Sequence, residues 1–274
     1  MKKQKKMILK LGSIALGLLL GFFLGSCEEE NFNPALTRTF TIESPSIGAT
    51  YPIQVALPEN YNSSAEKFST IYVLDGEQDF DLVANTCKSL SDRYRLPNVI
   101  VVSIGYGRDR SIDYTPTKTG SSTGGAPEFL AFISNELIPK IEQDFTVDTT
   151  RESRVILGHS YGGLFAAYTF AVNNTVFGNY IMLSPSLWFD NEISMLLEKQ
   201  NRVDNKDIRQ LVFMGIGEAE NSGRMQAPFE AYYQILRDNY SDITLSKNRE
   251  DDLSHMGSKD PNIIKGLKYY FQNR

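Results

Sequence analysis

Ser160, His255 and one of two glutamates, Glu218 or Glu220, have the types and chain order that acyl chemistry needs. Ser160 lies in Gly158-His159-Ser160-Tyr161-Gly162, after the run Arg154-Val155-Ile156-Leu157 and before Gly163-Leu164-Phe165-Ala166-Ala167-Tyr168. A G-x-S-x-G segment between a strand and a helix holds its serine on a sharp, strained turn that exposes the hydroxyl. That hydroxyl is a weak nucleophile until a neighbouring base takes its proton, and histidine is the usual base near neutral pH. The chain has two histidines. His159 adjoins the serine, so its ring is held on a different side of the turn and is expected to pack beneath it. His255, in Asp251-Asp252-Leu253-Ser254-His255-Met256-Gly257, is then the candidate base.

An acid that orients the imidazole should fall between serine and histidine along the chain. Gly215-Ile216-Gly217-Glu218-Ala219-Glu220-Asn221 leaves an apolar run at that place. Both glutamates qualify, and Glu220 is preferred because the loop must turn back toward the histidine after Gly217. An oxyanion requires two backbone N–H groups. Tyr161, which follows the serine, supplies one; the Glu77 amide in Leu74-Asp75-Gly76-Glu77, where glycine permits a sharp turn, is the candidate for the other, with an ordinary strand-to-helix turn as the alternative. Trp188, the sole tryptophan, is a candidate to stack on an aromatic acyl or sugar group, with core packing as the alternative. Arg108 and Arg110 lie in the irregular segment 105–126 and are candidates to attract an anionic substrate such as a catecholate or uronate.

The elements that must position these residues alternate. Thr39–Glu43 and Tyr51–Leu57 read as an opening antiparallel pair. Strands are expected at Thr70–Leu74, Val99–Ile104, Val155–Leu157, Tyr180–Leu183, Leu211–Ile216 and Ile243–Leu245. Helices are expected at Phe80–Tyr94, Pro127–Phe145 (kinked or divided by Pro139), Glu192–Lys199, Ala227–Arg237 and Ile263–Phe271. Such alternation implies a mostly parallel sheet with helices on both faces, and ligands that sit beyond the carboxyl ends of its strands.

Residues 1–26 read as a signal peptide, with five lysines by Lys10 and an apolar stretch from Leu11 to Leu24. Leu24-Gly25-Ser26-Cys27 resembles the bacterial lipobox, which implies lipid on Cys27, attachment to the membrane through that lipid, and a place in the cell envelope. Residues 27–36, opening Glu28-Glu29-Glu30 after the cysteine, form a polar tether, and residues 37–274 a single domain. Without residues 1–26 the chain keeps 23 basic against 33 acidic residues, a poor balance for nucleic-acid binding. With Cys27 lipidated, Cys87 has no disulfide partner and is expected in a core. Two cysteines and two histidines argue against a structural zinc site, and no cofactor is expected.

Together these segments resemble the putative-esterase family of α/β-hydrolases, which includes feruloyl and acetylxylan esterases, S-formylglutathione hydrolase, mycolyltransferases and siderophore trilactone esterases. The resemblance rests on Val73-Leu74-Asp75-Gly76, Asp113-Tyr114-Thr115-Pro116, Gly158-His159-Ser160-Tyr161-Gly162-Gly163, Leu183-Ser184-Pro185-Ser186-Leu187-Trp188, Gly217-Glu218-Ala219-Glu220 and Ser254-His255. Tyr114-Thr115-Pro116 and Ser184 to Trp188 look most like the siderophore branch. The resemblance implies an α/β-hydrolase fold and a serine esterase with Ser160 as nucleophile, His255 as base, and Tyr161 and Glu77 amides as oxyanion hole. It also implies a Gly-Glu-x-Glu acid, in favour of Glu220. Siderophore lactones and ester-decorated glycans are the expected substrates. A ligand-binding lipoprotein on the same fold and an acyltransferase to an envelope acceptor are the competing readings.

Overall fold

The computed structural model describes residues 31–274. The signal-peptide reading and Cys27 lie outside the described residues. Among the described residues, no helix is long and apolar enough to cross a membrane.

Two strands open the domain, β1 (Thr37–Ser44) and β2 (Ala49–Ala56), followed by β3 (Ser69–Val73), α1 (Gly76–Tyr94) and β4 (Val99–Ile104). A short helix α2 (Arg110–Asp113) interrupts the long loop before α3 (Ala126–Phe132) and α4 (Ile138–Asp144). Next come β5 (Arg154–His159), α5 (Tyr161–Val172), β6 (Asn179–Leu183) and α6 (Phe189–Asn205). The chain closes with β7 (Gln210–Gly217), α7 (Ala227–Asn239), β8 (Ile243–Glu250) and α8 (Lys259–Asn273).

All eight strands form one sheet in the order β1-β2-β4-β3-β5-β6-β7-β8. β2 is antiparallel to β1 and β4, while the pairs from β4 through β8 are parallel. Strands buried on both faces read as unbroken apolar runs. Side-chain alternation then divides each run between two cores. Tyr72 and Leu74 pack with Phe129, Phe165 and Tyr232 of the helices on one face. Ile71 and Val73 pack with Phe80 and Val83 of α1 and with Ile263 and Leu267 of α8 on the other. Cys87 is buried in this second core as a free thiol, and burial pushes its pKa well up. This is the α/β-hydrolase architecture, with the expected antiparallel N-terminal pair.

The 127–145 helix divides ahead of Pro139, as the sequence predicts, through a wider π-type turn at Ile133–Leu137, while other elements differ in detail from the expectation. Proline offers no N–H and crowds the carbonyl four residues back, so the extra residue in that turn absorbs the mismatch. The β8 strand extends to Glu250 as the partner of β7. It lies at the sheet edge and is only half-buried, so its second half, Ser246 to Glu250, is polar and carries no apolar signal. Finally, α6 begins with Asp190, Asn191 and Glu192 all left-handed, at φ 44°, 53° and 63°. The Thr117 hydroxyl donates to the Asp190 carboxylate and ties the long loop to this turn.

Candidate active site

The parallel strands deliver β5, β6 and β7 to the same rim of the sheet, and each turn after them contributes to one cleft. Ser160 follows β5 directly with φ 60° and ψ −115°, a conformation an L-residue adopts only when its surroundings enforce it. Its N–H donates to Leu183 O at 2.9 Å, and its carbonyl accepts from Leu164 N and Ser186 N. A Cβ at Gly158 would lie 2.4 Å from the Gly162 carbonyl carbon, and one at Gly163 2.8 Å from Leu183 O. The small residues around the serine are therefore steric requirements of the turn. Tyr161 is the first residue of α5, so its N–H has no partner within the helix.

His255 lies on the loop between β8 and α8, and its Nδ1 is 2.8 Å from Glu220 Oε2. With a carboxylate there, Nδ1 carries the hydrogen and donates it, which leaves Nε2 as a proton acceptor. The Glu220 side chain is buried, and its other oxygen accepts from the Ser184 hydroxyl at 2.6 Å and from Gly217 N at 2.8 Å. Burial alone would raise its pKa, but the hydrogen bonds from His255, Ser184 and Gly217 outweigh that and hold it below the usual carboxylate range. Glu218 is exposed, and its carboxylate accepts from Asp252 N at 3.2 Å. It shapes the histidine loop from outside, while Glu220 meets the ring.

His159 is buried beneath the turn, as its position in the sequence implied, but it does more than fill space. Its Nε2 donates to the carbonyl of His255 at 2.9 Å, and the two rings are 4.6 Å apart. Burial first, and then the neighbouring His255, lower its pKa to about 4, so it is neutral near pH 7. The residue before the candidate nucleophile thus fastens the loop of the candidate base.

Ser160, Tyr161, Trp188, Glu220 and His255 line one open cleft of about 520 Å³. Trp188 is half-buried: it packs against the first core and also lines the cleft. Glu77 is not among the residues that line this cleft; it lies in the first turn of α1, just past Asp75, which is left-handed at φ 54°. A Cβ at Gly76 would lie 2.0 Å from Ser103 Oγ, so only glycine fits where this turn crosses β4.

Arg108 and Arg110 do not line this cleft; both line a separate pocket with Gln78 and Tyr106. Each is paired with a carboxylate. Arg110 makes two hydrogen bonds to the Asp75 carboxylate, at 2.7 and 2.9 Å, and donates to His159 O at 3.1 Å. It braces the turn after β3 against the serine turn. Arg108 donates to Asp113 at 2.6 Å and to Glu128 at 2.7 Å, and Asp113 also accepts from the Tyr51 hydroxyl. These ties give the 105–126 loop its shape. The sequence had offered Asp75 and Asp113 as parts of motifs, without showing that each would meet an arginine.

Arg224 was missed. It lines the same cleft, four residues beyond Glu220, with its guanidinium carbon 3.6 Å from the centre of the Trp188 ring. Nothing in the local sequence sets it apart from other exposed arginines.

A family model described as Putative esterase matches residues 44–251, from the end of β1 to the loop that carries His255. The chain belongs to that family. It is 27% identical over 227 residues to the ferri-bacillibactin esterase BesA of Bacillus subtilis, covering 73% of this chain and 77% of that one. It is 32% identical over 176 residues to the siderophore triacetylfusarinine C esterase of Aspergillus fumigatus, covering 59% of each. Several such curated relatives are matched over a little more than half of their length. The crystal structure of the BES protein from Bacillus cereus superposes with a TM-score of 0.77 at 25% identity, covering 97% of this chain and 99% of that one.

Proposed function

We propose that this protein is a serine carboxylic-ester hydrolase that works through an acyl-enzyme, with siderophore lactones as its substrate class. The observation that carries the reading is the buried, ionised Glu220 on Nδ1 of a histidine that shares a cleft with a strained serine. Ser160 Oγ attacks the ester carbonyl carbon while its proton passes to His255 Nε2. The Tyr161 and Glu77 N–H groups hold the oxyanion that forms, and Glu220 stabilises the imidazolium. His255 then gives the proton to the leaving alkoxide as the C–O bond breaks. Water, deprotonated by the same nitrogen, releases the acyl group and restores Ser160.

A binding protein would not need an ionised carboxylate, a correctly turned imidazole and a strained serine in one cleft, so hydrolysis is favoured over ligand capture. Acyl transfer uses the same residues with an alcohol in place of water. The siderophore class is supported by the relatives named as siderophore esterases. Purified protein is expected to turn over p-nitrophenyl acetate and to open a catecholate trilactone. Ser160→Ala and His255→Ala are expected to lose roughly 10³-fold or more in kcat on both. Wild-type protein inert toward both esters contradicts the reading.

We further propose that the enzyme sits in the cell envelope, anchored by lipid on Cys27; Phe32 packs on Phe80 and Leu36 against the core, so the tether ends before Phe32 rather than at residue 36. Support comes from Leu24-Gly25-Ser26-Cys27 after a basic and apolar leader. Cells fed an alkyne palmitate are expected to label the wild-type protein and not Cys27→Ala. Equal labelling of the two removes the anchor.

A further inference from the structure

We infer that Arg224, stacked on Trp188, is a specificity-determining residue that selects esters bearing an anionic oxygen pair beside the scissile bond. The inference rests on the hydrolase reading and adds what the cleft prefers.

The charge of the cleft is the first support. Its one lining carboxylate, Glu220, is buried and committed to His255, Ser184 and Gly217. Arg224 is exposed, and among the described residues no carboxylate lies within ion-pair distance of it. Arg108, Arg110 and Arg202 each meet a carboxylate at 2.6–2.7 Å. In a protein with net charge −5, an uncompensated guanidinium in the cleft is a local reversal of sign.

Geometry is the second. The guanidinium carbon lies 3.6 Å from the Trp188 ring centre, so the stack engages the face of the group. The N–H donors lie in the plane of the guanidinium, at its edge, and stay available to an acceptor. A planar fork of this kind suits two oxygens held side by side, as in a carboxylate or a catecholate.

The backbone beneath Arg224 is fixed, which is the third support. Arg224 N donates to the Asn221 side chain at 2.7 Å, and Met225 N to the Asn221 carbonyl at 2.8 Å. Gln226 Nε2 donates to the carbonyls of Gly217 and Glu218 at 2.8 and 2.9 Å. The loop that holds Glu220 therefore also holds Arg224, so an anion bound there is placed relative to the His255 partner.

The test is a ratio of kcat/KM for two esters with one leaving group, mono-p-nitrophenyl glutarate (anionic acyl group) and p-nitrophenyl acetate (neutral). Wild type is expected to prefer the glutarate, with the preference falling as salt is raised. Arg224→Met is expected to lower that ratio at least tenfold, mainly through KM for the glutarate. Arg224→Lys, which keeps the charge without the fork, is expected to fall between them. The thermal midpoint of each variant separates loss of fold from loss of selectivity. A ratio that stays within twofold in Arg224→Met, or a wild type without preference for the glutarate, overturns the inference while leaving the hydrolase reading intact. A wild type inert toward both esters overturns that reading and the inference together.

Discussion

Glu218 and Glu220 are two residues apart on one loop, and what surrounds each carboxylate separates their roles. Glu220 accepts hydrogen bonds from His255, Ser184 and Gly217 in a buried site, whereas Glu218 is exposed beside Asp252. The Glu220→Gln variant keeps the shape but removes the charge that orients and stabilises the imidazolium. It is expected to lower kcat by about 10²–10⁴-fold with little change in KM, judging from the analogous change in a serine protease triad. For Glu218→Gln the expected loss is below about threefold, because that carboxylate only shapes the outer turn. Steady-state kinetics on one ester decides it, and the reverse order of losses would reassign the acid. That Glu220 rather than Glu218 faces His255 was legible in sequence, because a chain leaving a strand must turn before it can meet a histidine on the next loop. The arginines were not legible. Whether a guanidinium meets a carboxylate depends on contacts between distant segments, such as Arg110 with Asp75, and no local pattern encodes them.

The joints between elements matter as much as the elements. His159 ends β5, and its donation to the His255 carbonyl fastens the β8–α8 loop to the serine turn. Its pKa of about 4 lies below the ordinary value of 6.5. Between those two pH values the unfolded chain binds a proton at this ring that the folded chain does not. Stability is therefore lost as pH falls from 6.5 toward 4, is fully present above that window, and stops changing from this source below it. A shift of this size corresponds to roughly 3 kcal/mol. Glu220, whose pKa is also depressed, acts in the same direction as its carboxylate is protonated. Urea unfolding of wild type and His159→Gln between pH 4 and 7 checks the assignment. The variant, which keeps an N–H donor without the titration, is expected to show a shallower fall, and parallel curves contradict it. Fully buried strands such as β4 and β6 stood out in the sequence because both faces demand apolar side chains. The end of β8 did not, since an edge strand half in solvent can be polar, and neither did the left-handed start of α6, where tertiary contacts override local preference.

At the scale of the whole molecule, one order of elements explains why a few scattered residues meet. Parallel strands run in one direction, so the segments after β3, β5, β6 and β7 come to a single rim, and Ser160, Trp188 and Glu220 arrive together although they are distant in sequence. Family membership and fold were therefore readable from motif order, while the character of the cleft depended on loop packing that only the three-dimensional arrangement specifies. The excess of acidic residues means that any attraction for an anionic ester must be local, at Arg224, and not a property of the whole surface. The central claim is that Ser160 is a nucleophile activated by its surroundings. Intact-mass analysis after incubation with a fluorophosphonate tests it most directly. The account predicts a single adduct per chain, mapped by peptide sequencing to Ser160 and absent from Ser160→Ala. An unmodified wild-type protein, or an adduct that persists in Ser160→Ala, would contradict it.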